Sequence, residues 1–141
     1  MSRCKTRLNL ARSMFFTALL IASAWAHAEL VIVAAANSPA GSLTRDQASD
    51  IFLGKSTAFT PLDLPATSAL RDEFYSKVTG KSAAQAKSHW SKLSFTGRGT
   101  PPKEGRDSDD VKRQVSGNPK LLGYIERSEV DSSVKVLFAA Q

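Results

Sequence analysis

Seven consecutive apolar residues, Leu30-Val31-Ile32-Val33-Ala34-Ala35-Ala36, leave this chain few ways to fold. A strand with one face in water alternates apolar and polar side chains; an unbroken run belongs to a strand buried on both faces, as in a parallel sheet. Such a strand needs helices above and below it. The rest of the sequence is expected to supply them.

The elements follow in order. Asn37-Ser38-Pro39-Ala40-Gly41-Ser42 is turn chemistry. Thr44 and Gln47 have capping-box spacing, and Ala48, Ile51 and Phe52 form one helical face that Gly54 terminates. Pro61 to Leu64 reads as a short strand ended by Pro65, because proline removes a ladder donor. Thr67 and Ser68 are favoured cap residues for a helix with Leu70, Phe74 and Val78 on one face and Gly80 at its end. Ser82 and Gln85 form a second capping box, opening a helix through Ala86, Trp90 and Leu93.

The segment from Phe95 to Lys103 reads as a loop. Its glycines leave amides open and Arg98 and Lys103 are cationic, so it is a fallback anion site. Ser108-Asp109-Asp110 starts a helix through Val111 and Val115, which Asn118-Pro119 breaks. Leu122 to Glu126 and Val134 to Phe138 read as strands. The alternation predicts an α/β fold with a mixed sheet flanked by helices. Its core is expected from Val31, Val33, Ile125, Val136 and Phe138, with Ile51, Phe52, Phe74 and Trp90 packing from helices.

Residues 1–28 read as a secretory signal peptide. Arg3, Lys5, Arg7 and Arg12 precede an apolar stretch from Met14 to Ala24, and Ala26-His27-Ala28 is an A-x-A site, so cleavage is expected before Glu29. The stretch is shorter than the roughly 20 residues of a membrane span. Cleavage leaves one 113-residue domain at 29–141 in the periplasm and takes the net charge from +6 to +2. The basic character therefore belongs largely to the leader, which removes the main support for nucleic-acid binding. Cys4 leaves with it, so no disulfide, thiolate nucleophile or cysteine metal site is expected. Only His89 remains of the histidines, which excludes a multi-histidine metal site. No G-x-S-x-G elbow occurs and no carboxylate is spaced to work with His89, so no catalytic residue, metal or cofactor is assigned.

Three segments resemble the phosphate-type periplasmic substrate-binding proteins of ABC transporters. Pro39, Ser42-Leu43-Thr44 and Ile51-Phe52-Leu53-Gly54-Lys55 resemble that family's "np" strand and "lt…q…IF-GK" helix. Ser68 with Arg71-Asp72-Glu73-Phe74 resembles its "GSGTRdaF" helix start, and Val111 to Asn118 with Leu122-Gly123-Tyr124-Ile125 its "V…np-aIGYv". The resemblance implies a single lobe of a type 2 periplasmic-binding-protein-like fold. It also implies a small anion such as phosphate as ligand, and an ABC transporter or other membrane protein as partner. Ser68 matches the family's ligating serine and Arg71 the arginine after the turn. Thr67 and Ala69 replace its two glycines, Leu70 its threonine, and Leu64 the arginine before the turn. Thr67, Ser68 and Arg71 are thus the expected ligand-binding residues, with Asn37 and Ser38 on the facing turn. The apolar Leu64 and Leu70 suggest an alternative: an interaction module of the same fold that docks a membrane partner or forms a homodimer.

Overall fold

The computed structural model describes residues 29–141; the leader at 1–28, with its expected cleavage site, lies outside the described residues. Strand β1 (Leu30–Ala35) is buried along its whole length, as its composition demands. Its partners differ from the expectation of a parallel neighbourhood. β1 pairs antiparallel with β4 (Leu121–Glu126) on one side and β5 (Val134–Ala140) on the other. An unbroken apolar run reports burial on both faces, which any central strand under two helical layers shares, and carries no information on strand direction.

β2 (Thr60–Asp63) runs parallel to β4 and to the two-residue β3 (Lys103–Glu104), giving the order β3-β2-β4-β1-β5. The sheet is therefore mixed, as expected. β3 falls where a loop is expected from sequence; two charged residues carry no strand pattern.

Four α-helices cover the sheet: α1 (Arg45–Phe52), α2 (Ala69–Phe74), α3 (Ala83–Phe95) and α4 (Ser108–Gly117). Both expected capping boxes are present, Thr44 with Gln47 and Ser82 with Gln85. α4 is capped by Asp107, whose carboxylate accepts from the Asp110 amide at 2.8 Å. It packs on β4 at Gly123, where an added Cβ would lie 2.5 Å from Val111 Cγ1. On the opposite face Tyr124 stacks on Phe74 with ring centroids 3.9 Å apart, and Phe52 meets Phe74 edge-on at 4.6 Å. Full burial of such side chains contributes about 1.5–3 kcal/mol each.

α3 joins α1 through two polar contacts. His89 Nε2 lies 2.7 Å from the Leu53 carbonyl, and Trp90 Nε1 donates to the Phe52 carbonyl at 3.2 Å. These are orphan carbonyls at the end of α1, so the lone histidine of the domain serves as a cap. The expected core needs one correction at β5. The β1–β5 register shifts between Ile32 and Val33, pairing Ile32 with Phe138 but Val33 with Val136. The extra residue reverses the inward phase there: Leu137 is buried, Phe138 only partly, and Val136 is 37% exposed.

Candidate functional site

β2 ends in Asp63, and the chain then turns through Leu64 to Ser68 into α2. Pro65 accepts from the Ser68 amide at 2.9 Å, closing the turn. Ser68 occupies the N-cap position with extended backbone, yet its hydroxyl makes no capping bond. Thr67 is exposed beside it. α2 is six residues long and runs directly into a π-helical turn, Tyr75–Thr79, in which Thr79 Oγ1 donates to the Tyr75 carbonyl at 2.6 Å. Tyr75 is thereby buried alongside Phe74.

Under this turn lies a buried polar cluster. Asp63 is 2% exposed. It accepts from the Tyr75 hydroxyl at 2.6 Å, from the Tyr124 hydroxyl, and from the Leu64 amide at 2.9 Å. Arg71 closes the cluster from the α2 side. Its Nη2 is 3.6 Å from Asp63 Oδ2, and its Nη1 donates to the Leu64 carbonyl at 3.0 Å and to Glu104 Oε1 at 2.7 Å. Arg71 Nε is buried without a partner. Burial alone would lower the Arg71 pKa, but the Asp63 charge and the Glu104 hydrogen bond outweigh it and hold it raised. Burial, reinforced by the Asp63 charge, pushes both tyrosine hydroxyls well above their ordinary value.

The expected ligand set separates into two groups. Thr67, Ser68 and Arg71 lie together at the carboxyl end of β2. Asn37 and Ser38 follow β1, whose Ala34 pairs with Leu122 near the start of β4, while Pro61 near the start of β2 pairs with the same residue. Asn37 and Ser38 therefore sit at the opposite end of β2 from Ser68, so the structure does not bring them to the α2 turn. Ser38 is buried there, its Oγ donating to the Pro119 carbonyl at 2.8 Å and its carbonyl accepting from Lys135 Nζ at 2.6 Å. It pins the β1–α1 connection to the α4–β4 connection.

Comparison with solved structures identifies the fold. A protein described as a phosphate ABC transporter substrate-binding protein, from Clostridium perfringens and with bound phosphate, superposes with a TM-score of 0.63 at 25% identity. An ABC-type phosphate transport receptor from Vibrio cholerae gives 0.61 at 23%, and PstS from Borrelia burgdorferi 0.57 at 11%. Each match covers 78% of this chain. The chain has the fold of a phosphate-transport binding protein. It spans less than half of each of those structures, 45%, 46% and 47% of their lengths in the same order. No protein-family model matches the chain, and no curated protein matches it significantly.

At the α2 turn the Ser68 hydroxyl makes no capping bond, and the Arg71 guanidinium is engaged by two carboxylates. Sequence reasoning missed those carboxylates. Asp63 stands between Leu62 and Leu64, where strand alternation reads as a solvent-facing charge, so its burial and partners are not signalled by the sequence. Glu104 carried no signal either, since its position depends on the unforeseen pairing of β3 with β2. Among the described residues no group of three His, Cys, Asp or Glu side chains is placed to hold a metal.

Proposed function

We propose that this chain is an exported, single-lobe binding module, with residues 1–28 removed as a signal peptide, that holds a small oxyanion such as phosphate at the α2 turn. A substrate-binding role beside an ABC transporter or other membrane partner, rather than catalysis, fits this reading. The observation that carries it is the Ser68 hydroxyl, which stands at a helix start without a capping bond, one turn before Arg71, in the fold of a protein that binds phosphate. The contacts would be Thr67, Ser68 and Arg71. Asn37 and Ser38 drop out of the set because they lie at the other end of β2.

Arg71 is held by Asp63 and Glu104, and an incoming anion must compete with them. Binding should therefore be weak, with Kd on the order of micromolar to millimolar, equivalent to about 4–8 kcal/mol. Calorimetric titration of phosphate and sulfate into the wild type, Ser68→Ala and Arg71→Ala tests this, and both substitutions should weaken binding. Glu104→Gln should strengthen it, by removing the competing charge. The mass of the exported protein should correspond to a chain starting at Glu29.

The same ion pairs support a second reading, an interaction module in which the Arg71 cluster is purely structural and the lobe docks a membrane partner or a second copy. Absence of any heat with either anion, together with unchanged behaviour of Glu104→Gln, would establish that reading over the first.

A further inference from the structure

At the opposite end of β2 from Ser68, an open cleft of about 620 Å³ lies among the end of α1, the 55–60 connection, the α3–β3 loop and the start of β4. Its size is within the range of small-ligand sites, roughly 300–1,000 Å³. Ile51, Phe59, Trp90 and Leu121 give it apolar walls. Arg98 and Lys103 line it too, and among the described residues no Asp or Glu side chain does. Neither cation forms a salt bridge among the described residues.

Local structure accounts for the placement of both charges. α3 ends in a Schellman motif: the Gly97 amide donates to the Ser94 carbonyl at 3.1 Å and the Arg98 amide to the Leu93 carbonyl at 2.8 Å. Gly97 takes the left-handed conformation this requires, with φ of 70°, and the reversal brings Arg98 to the cleft. Lys103 arrives by strand alternation. Successive residues of β3 point to opposite sides, so Lys103, paired with Leu62, lines the cleft while Glu104, paired with Asp63, meets Arg71.

We propose that this cleft binds a small amphipathic organic anion, an aromatic or aliphatic body carrying a carboxylate or sulfonate. The apolar body removes the walls from water, and the acid group meets two cations that form no salt bridge among the described residues. The site is independent of the α2 turn. An inorganic anion has no apolar body to gain from these walls, and a neutral hydrocarbon leaves the cations unanswered.

Trp90 lines the cleft and is the only tryptophan among the described residues, which makes occupancy directly readable. The probe is anilinonaphthalene sulfonate, titrated against the exported protein starting at Glu29, in which Trp90 alone emits. Saturable one-to-one quenching of Trp90 is expected. Arg98→Gln with Lys103→Gln should weaken the sulfonate about tenfold, or 1.4 kcal/mol, while leaving binding of neutral phenylnaphthylamine unchanged. Ser68→Ala should have no effect, which separates this site from the anion site of the α2 turn. Non-saturable quenching, an unchanged sulfonate affinity in the charge variant, or an equal loss for the neutral probe would each overturn the proposal. Thermal unfolding of the charge variant should match the wild type, because both side chains are exposed and form no salt bridge among the described residues.

Discussion

Asp63→Ala should be the most damaging single truncation of a polar side chain in this domain. The carboxylate is 2% exposed and takes hydrogen bonds from two buried tyrosine hydroxyls and the Leu64 amide. Hydrogen bonds to a charged group contribute about 1.5–3 kcal/mol each, and removing one partner strands the others out of water. Removing one side of a buried ion pair costs about 3–5 kcal/mol. Arg71 keeps Glu104 as a partner, so the guanidinium adds little beyond the stranded hydroxyls, and the expected loss is about 3–5 kcal/mol in total. With a urea m-value of about 2 kcal/mol/M, that lowers the unfolding midpoint by about 2 M. Asp63→Asn retains one acceptor oxygen of the same shape and should lose roughly half as much. Urea titrations followed by circular dichroism measure both. A midpoint shift below about 0.5 M for Asp63→Ala, at unchanged m, would refute the view that this cluster organises the end of β2.

Two further outcomes are expected. The raised pKa values of Tyr75 and Tyr124 mean that the unfolded chain loses these protons first as pH climbs. Their contribution is intact below pH 10 and is lost above it, by about 1 kcal/mol per tyrosine between pH 10 and 11. The stability slope in that window should be shallower for Tyr124→Phe, and equal slopes would remove the argument. Gly123→Ala should cost about 1–3 kcal/mol by overpacking, because its Cβ would meet Val111 Cγ1 at 2.5 Å and Val115 Cγ2 at 3.1 Å. A thermal midpoint equal to that of the wild type would show that α4 can retreat freely from the sheet.

Local rules made the helices legible. Thr44 with Gln47 and Ser82 with Gln85 cap as their spacing demands, since a capping box needs only four neighbouring residues. What depends on distant parts of the chain was not legible. The bulge that turns Val136 outward is fixed by pairing with β1 across the whole domain. The direction of β1 depends on where the last two strands return. In the candidate site, Ser68 and Arg71 were visible because they are near neighbours. The competition of Glu104 for Arg71 depends on a strand of two residues, and the separation of Ser38 from Ser68 on the order of strands in the sheet. Ser68 at a helix start suggested a side-chain cap, yet it makes none, which leaves its hydroxyl open for another partner.

Strand β1, flanked by β4 and β5, also governs when the domain can fold. β1 comes first among the described elements, yet both of its partners come last, Leu30 pairing with Glu126 and Ala140. Each pairing closes a loop of roughly 90 residues or more, at an entropic cost of about 4 kcal/mol before any contact offsets it. Helices α1 and α3 can form transiently from local sequence, but they have no completed sheet to cover until β4 and β5 arrive. Such non-local topologies fold slowly, on the order of milliseconds to seconds. β1 must therefore wait, without its native core, until β4 and β5 are present.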